Sequence, residues 1–294
     1  MGVYLKFFKM ENKRVLVIGG TGYIGESLVK KLISSKYDLT LLVRRKYLIN
    51  TNKNCKYLLS DILNKESLLE KIKDFDVVIV LASLIKSINK KKYIENSIGI
   101  KNIIDVLNKN NINKIIYFSS QNVLLKNKGP YAKSKEKSEG IIKNSNIQYV
   151  IIRPNYVYGI DKNNLFYKLS FLIKYFRTVI IIGNGNNKIQ PIFKDDLSEI
   201  TIKLLKNFKD FKNSAINVSG NKSLSLNEII ALIEKNLRLK SLKLHLPPKL
   251  FYLFKSIIPF DIEGIDESRT INTYFKKHNF SSLESNIKKI TSLF

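Results

Sequence analysis

The stretch RVLVIGGTGYIGESLVKKL, residues 14–32, passes from an unbroken apolar run into a glycine-spaced turn and then into a helical period. Val15–Ile18 has the length of a buried strand, and Leu28, Val29 and Leu32 recur at the spacing of one helix face. Between them Gly19, Gly22 and Gly25 stand three apart. The first permits a tight turn, the second lets backbone approach a pyrophosphate, and the third allows the helix to pack close to the strand. The helix N-terminus then offers its unpaired N–H groups and its dipole to an anion. In this strand-turn-helix setting the three glycines point to dinucleotide binding rather than to a turn with a purely structural role.

Outward from this unit, strand-length runs alternate with amphipathic stretches to about residue 200. A helix over Tyr23–Ser34 leads to DLTLLVRR (38–45) and KYLLSDI (56–62), then a helix near Lys65–Lys73. DVVIVLAS (76–83) precedes a helix over Tyr93–Lys109, KIIYFSS (114–120) precedes one around Tyr131–Lys143, and YVIIRPN (149–155) closes the series. Runs apolar on both faces predict an α/β protein with a doubly wound parallel sheet, a Rossmann fold. From Gly183 the pattern loosens: GNGNNKIQPI is turn-rich, SLSLNEIIALIEKNL reads as a helix capped at Ser225 or Asn227, and LPPKL breaks the chain. The division expected is an NAD(P)-binding domain with the catalytic residues over 10–180 and a smaller substrate-binding lobe over 181–294, one strand or helix returning to the main domain.

Composition narrows the class. A chain of 294 residues can bury a large core, and no apolar run approaches the eighteen residues of a membrane span, so no membrane insertion is expected. One cysteine, Cys55, excludes an internal disulfide and a cysteine metal cluster, and no metal is expected. The poor match of MGVYLKFFKM to a signal peptide makes the cytoplasm the expected location, and the strand that begins just past Met10 leaves residues 1–9 as a dispensable extension or a misplaced start. The formal charge of +27 would suit nucleic acid, yet lysine is spread along the whole chain and no nucleic-acid-binding motif accompanies it, so solvated lysine-rich helices are the expectation.

Two sites of chemistry follow. The end of the second strand, LLVRRKY, carries Arg44, Arg45 and Lys46 where a ribose-reading acid is usual, and a guanidinium accepts a 2′-phosphate that an acid would repel. NADP is therefore preferred over NAD. YAKSK (131–135) puts Tyr131 and Lys135 on one helix face. Fifteen tyrosines in a lysine-rich chain would give about two such spacings by chance, and two occur: Tyr131/Lys135 and Tyr158/Lys162. The second pair spans a glycine after RPN, where no helix aligns it.

Taken in order, these stretches resemble the extended branch of the short-chain dehydrogenase/reductase superfamily, the NAD-dependent epimerase/dehydratase family. GGTGYIG, with Tyr23 and Ile24 between its glycines, is similar to that family's phosphate turn. By the same resemblance Asp61 of SDILNKESL would hydrogen-bond the adenine with Ile62 beside it, Leu81 and Ala82 would line the cofactor, and Asn96 takes its usual place. YFSSQNV supplies Ser120 at the catalytic serine position, YAKSK supplies Tyr131 and Lys135, and IIRPNYVYG, with Pro154, the segment around the nicotinamide. Tyr131 would act as general acid or base at a carbonyl or carbinol. A phenol of ordinary pKa near 10 suits that poorly at neutral pH, and the charge of Lys135 favours the phenolate. Ser120 would hydrogen-bond the reacting oxygen.

The resemblance implies an NAD(P)-dependent oxidoreductase or epimerase interconverting a sugar-like hydroxyl and a ketone, with a nucleotide sugar as small-molecule substrate and a homodimer as possible assembly. Gln121 and Asn122 replace the titrating pair of a dehydratase, so 4,6-dehydration is not expected. The arginine that many relatives use against a nucleotide diphosphate is replaced near Lys188 and Ile189. Arg269 lies in the segment similar to the closing turn, and KSINKKKY (86–93) is a basic loop that could compensate. IQPI and LLVRR also resemble atypical relatives such as the nucleotide-binding accessory subunit of respiratory complex I, which makes a non-catalytic NADP(H)-binding protein the alternative.

Overall fold

Seven strands lie side by side and all parallel, in the order β3-β2-β1-β4-β5-β6-β11. In chain order they are β1 (Arg14–Ile18), β2 (Asp38–Val43), β3 (Lys56–Leu59), β4 (Val77–Val80), β5 (Lys114–Phe118), β6 (Gln148–Pro154) and β11 (Ser214–Val218). A computed structural model of the chain describes residues 13–46, 54–85, 87–162, 164–247, 268, 274–275 and 278–294. Met10, the 1–9 extension, Lys86 and Arg269 lie outside the described residues.

The two-residue period of a strand sends neighbouring side chains to opposite faces. Val15 and Val17 join one core with Leu28 and Leu32 of α1 (Gly25–Ser34) and Leu197, Ile200 and Leu204 of α6 (Lys194–Lys206). Leu16 and Ile18 join the other. Its helices are α2 (Lys65–Lys71), which gives Leu68, α3 (Ile94–Lys109), which gives Ile100, Ile103 and Leu107, and α4 (Pro130–Lys143), which gives Ile142. This is the doubly wound α/β sheet that the apolar runs imply. The strand order reverses between β1 and β4, and the crevice at their carboxyl ends is where such sheets bind ligands.

A third core is built by Phe166 and Ile173 of α5 (Leu165–Phe176), Val179 and Ile181 of β8 (Thr178–Ile182), Ile229 and Ile233 of α8 (Leu226–Leu237), and Leu283 and Ile287 of α9 (Leu283–Thr291). β8 pairs in parallel with β13 (Leu242–Leu246). The remaining short elements are β7 (Val157–Tyr158) paired with β10 (Ile192–Phe193), β9 (Lys188–Ile189) paired with β12 (Leu224–Ser225), and α7 (Phe208–Phe211). Between β10 and β12 the chain goes back to the main sheet: α6 lies on α1, where Ser27 Oγ donates to Asp195 Oδ1 at 2.6 Å, and β11 pairs with β6.

Element boundaries move for local reasons. α1 begins at Gly25 rather than Tyr23, because the Gly22 N–H donates back to the Gly19 carbonyl at 3.1 Å and holds the turn closed for two more residues. α3 begins at Ile94, after a 3-10 turn over Lys90–Tyr93 that Asn89 caps. α8 has Ser225 as N-cap in a full capping box with Glu228.

Candidate active and cofactor site

Gly19 opens the crevice with φ +91°, a backbone state that disfavours a Cβ, and a Cβ there would stand 2.5 Å from the Ala82 nitrogen. Leu81 and Ala82 are held just as close by their own backbone, since both N–H groups donate to the Ile18 carbonyl at 2.8 and 3.0 Å. Gly25 supports the turn from beneath, with room for no Cβ within 2.3 Å of the Gly19 oxygen. Gly22 is exposed, and the nearest atom to a Cβ on it is the Gly19 oxygen at 3.3 Å. Tyr23 and Ile24 complete the turn, and the Lys194 ammonium lies 4.9 Å from the centre of the Tyr23 ring. Beside the turn, the Ser83 hydroxyl is buried with no hydrogen-bond partner among the described residues. A backbone cradle that excludes side chains, opens at one glycine and adjoins an orphaned hydroxyl fits a dinucleotide pyrophosphate.

At the next strand ends, Arg44 is exposed and its Nε lies 4.0 Å from the Asp61 carboxylate. The Asp61 carboxylate also accepts the Leu63 N–H at 2.9 Å. Arg45 is exposed alongside. Ile62 packs into α3 where Gly99 makes space: a Cβ on Gly99 would stand 2.5 Å from the Ile62 Cδ1. Asn96 is buried and ties three segments together. Its carboxamide oxygen accepts the Leu84 N–H at 2.7 Å, and its Nδ2 donates to the Leu84 carbonyl at 3.1 Å and to Ser134 Oγ at 3.0 Å. Ser134 in turn donates to the Tyr131 carbonyl at 2.7 Å, so the loop after β4 is fixed to the first turn of α4.

That first turn starts at Gly129 and Pro130, a proline whose fixed φ suits the N1 position. Tyr131 lies on it at 9% exposure, edge-on to Tyr93 with ring centres 6.3 Å apart. Lys135, one turn on, is 1% exposed. Its Nζ donates to the Phe118 carbonyl at 2.7 Å, at the end of β5, and lies 4.6 Å from the centre of the Tyr117 ring. Burial pulls the Lys135 amine down to about 7, and the Glu139 carboxylate opposes that pull. Of the adjacent serines, Ser119 is buried and donates to Glu139 Oε1 at 2.6 Å. Ser120 is half-buried and accepts the Asn122 N–H at 3.2 Å, which leaves its own proton available to donate. Ser120, Tyr131 and Lys135 thus come from the end of β5 and the first two turns of α4. Pro154 ends β6 beside them, paired with Val218. Tyr158 and Lys162 are not so arranged: Tyr158 is a buried residue of β7 whose hydroxyl accepts from Asn286, and Lys162 is exposed in a turn.

Other residues that build the site have no motif. Gln121 is 1% exposed and engaged at both ends of its carboxamide: Nε2 donates to Ser219 Oγ at 2.8 Å and Oε1 accepts from Asn155 Nδ2 at 2.7 Å. It therefore locks the ends of β5, β6 and β11 together. Glu139 and Arg153 form a bidentate pair, with Nε at 2.8 Å and Nη2 at 2.5 Å from its oxygens. The only sequence signal for Glu139 is its place four residues after Lys135.

Fold and cradle define a dinucleotide-binding protein of the doubly wound class. Residues 19–167 match a family model described as NAD(P)H-binding. A protein of Methanocaldococcus jannaschii assigned as a UDP-glucose 4-epimerase is 30% identical over 255 residues, covering 75% of this chain and 81% of that protein. The chain belongs to the NAD-dependent epimerase/dehydratase family, the extended short-chain dehydrogenases/reductases. A tobacco isoflavone reductase homologue is 26% identical over 259 residues, 80% of this chain and 78% of that protein. Among solved structures, the UDP-glucuronic acid 4-epimerase of Bacillus cereus, a Y149F variant holding NAD and a fluorinated UDP-sugar, superposes with a TM-score of 0.77. It is 20% identical and covers 96% of this chain and 100% of its own. The UDP-N-acetylglucosamine 4-epimerase of Methanobrevibacter ruminantium superposes at 0.76 with 23% identity, covering 96% and 98%. Among the described residues no helix is long and apolar enough to cross a membrane.

Proposed function

We propose that this protein is an NAD(P)-dependent oxidoreductase or epimerase that interconverts a secondary hydroxyl and a ketone on a sugar-like substrate, with a nucleotide sugar as the substrate class. The observation that carries the reading is the placement of Lys135. Its amine is buried at the carboxyl end of β5, on the carbonyl two residues before Ser120 and one turn from Tyr131, and the glycine cradle follows the carboxyl end of β1 in the same parallel sheet.

The residues that would hold the cofactor are Gly19, Gly22 and Gly25 at the pyrophosphate, Asp61 and Ile62 at the adenine, and Leu81, Ala82, Lys135 and Pro154 along its length. The nicotinamide supplies the hydride chemistry, which no protein side chain provides. Ser120 donates a hydrogen bond to the reacting oxygen. Tyr131 gives or takes the proton at that oxygen, and the Lys135 ammonium one turn away favours its phenolate. An amine near pH 7 exchanges its own proton in the working range. Gln121, with both ends of its amide occupied, has no part in proton transfer, which argues against dehydration. Arg44 and Arg45 at the end of β2 favour the 2′-phosphate of NADP. The nucleotide-sugar class draws support from the epimerases named above.

The test is Tyr131→Phe. Turnover, followed as absorbance at 340 nm for net oxidation or reduction and as separated epimeric product for epimerisation, across a panel of UDP- and dTDP-sugars, is expected to fall at least a hundredfold while NADPH affinity stays unchanged. Unaltered turnover sinks the assignment. If the wild type binds NADPH tightly and turns over no substrate, the protein is a cofactor-binding subunit. Arg44→Asp is expected to shift the NADPH to NADH affinity ratio toward NADH by tenfold or more, roughly one lost charge-assisted contact; an unchanged ratio removes the NADP preference.

A further inference from the structure

Glu139 lies one helical turn beyond Lys135, on the side of α4 that faces β5 and β6, and its 4% exposed carboxylate is fully engaged. Ser119 Oγ and Arg153 Nε donate to Oε1 at 2.6 and 2.8 Å, and Arg153 Nη2 and Lys143 Nζ donate to Oε2 at 2.5 and 3.2 Å. Two of these donors, Ser119 and Arg153, come from places that matter to the reaction centre. Ser119 sits between Phe118, whose carbonyl holds Lys135, and Ser120. Arg153 precedes Pro154 at the end of β6. Burial by itself would push the Glu139 carboxyl up, but the hydrogen bonds and charge of Arg153, with those of Ser119 and Lys143, hold it below its ordinary range, so it stays ionised beneath Lys135.

We propose that Glu139, acting through Ser119 and Arg153, is a positioning residue of the reaction centre. It fixes α4 to the ends of β5 and β6, so that Lys135 and Ser120 keep one relative placement, and it supplies the anion that favours the protonated form of Lys135. The inference rests on the reading of Tyr131 and Lys135 as that centre. The groups that face Lys135 are Tyr117 from β5 and Glu139 from its own helix. Arg153 from β6 and Lys143 from α4 bind the Glu139 carboxylate. Glu139 is the carboxylate in this set, and it acts on the amine alongside the Phe118 carbonyl and the Tyr117 ring, which also favour the ammonium.

The experiment is a double-mutant cycle of Lys135→Met and Glu139→Gln, read by urea unfolding of the full chain without cofactor at pH 6 and pH 9. With Lys135 charged at pH 6, the coupling is expected to change the unfolding equilibrium constant about tenfold, the equivalent of one pH unit in the amine's titration. At pH 9, where the amine is neutral, that coupling is expected to vanish. Coupling that is absent, or equal at both pH values, overturns the inference, because a Glu139 that only braces the fold has no reason to sense the Lys135 proton. If Glu139→Gln leaves Arg153 buried alone and does not fold, Glu139→Gln/Arg153→Met replaces it in the same cycle with the same expectation. In turnover, Glu139→Asp is expected to keep the wild-type pH profile with a lower kcat and unchanged KM, while Glu139→Gln moves the alkaline limb, where Lys135 loses its proton, down by about one pH unit. Coupling without turnover in the wild type keeps the Glu139–Lys135 interaction but removes the reaction centre it would position, and so overturns the enzymatic reading; turnover without coupling keeps the enzymatic reading and overturns the role of Glu139.

Discussion

Lys135→Met removes a buried charge while keeping the length of the side chain, and its effect on stability is expected to change with pH. In the unfolded chain the amine titrates at 10.5; in the fold, burial brings it to about 7. Between those values the unfolded chain binds more protons than the folded one, so the stability of the wild type rises with pH across that window. The penalty is fully present below pH 7 and fades as pH climbs toward 10.5. The shift corresponds to an upper bound of about 5 kcal/mol at low pH, and between pH 6 and pH 8.5 the wild type should regain about 2 kcal/mol that the variant does not. The variant also loses the hydrogen bond to the Phe118 carbonyl, a cost of about 1 kcal/mol that does not depend on pH. The assay is urea unfolding of both proteins at pH 6, 7 and 8.5 without nicotinamide cofactor. Lys135→Met should be the more stable protein at pH 6, with the difference shrinking as pH rises. A difference constant to within about 0.5 kcal/mol, the additivity error of such comparisons, refutes the picture of a buried amine that loses its proton near neutrality.

Two glycine substitutions should act in opposite directions. Gly25→Ala drives a Cβ to 2.3 Å from backbone at Gly19, so it should cost more than about 2 kcal/mol and weaken NADPH binding at least tenfold, read by unfolding and by fluorescence titration. Gly140→Ala, inside α4 with no atom beyond its own helix backbone within 4 Å of the new methyl, should stabilise by roughly 0.5–1 kcal/mol in the same unfolding assay. Gly99→Ala should cost about 1–3 kcal/mol by pressing on Ile62, and Ile62→Ala should recover most of it in the double variant; a loss that persists means the helix, rather than Ile62, is what the methyl strikes.

Much of the fold was written locally. Val15–Ile18, the three glycines and the α1 period lie within nineteen residues, and each feature depends on neighbours a few positions away. That is why strand, turn and helix could be read off with only the start of α1 displaced. The same holds for Ser225 and Glu228, whose reciprocal hydrogen bonds span three residues. The approach of Tyr131 and Lys135 to one helix face was legible too, because helical spacing is a property of the chain itself. That Ser120 and not Ser119 keeps a proton to donate was not: it depends on Glu139, twenty residues on from Ser119. Gln121 read as a replaced catalytic position, whereas its partners Asn155 and Ser219 make it a bolt between three strands, at separations of 34 and 98 residues. α6 and β11, late in the chain, complete the first sheet because an apolar strand edge at β6 and an apolar helix face at α1 needed cover, and no short-range pattern states which later segment provides it. Local periodicity in this sequence thus determined the strands, the glycine turn and the spacing of the Tyr-Lys pair. Tertiary structure decided which distant buried polar groups pair and how far the Lys135 amine is removed from water, because the segments that cover it and supply Ser119 and Arg153 to Glu139 meet only in the fold.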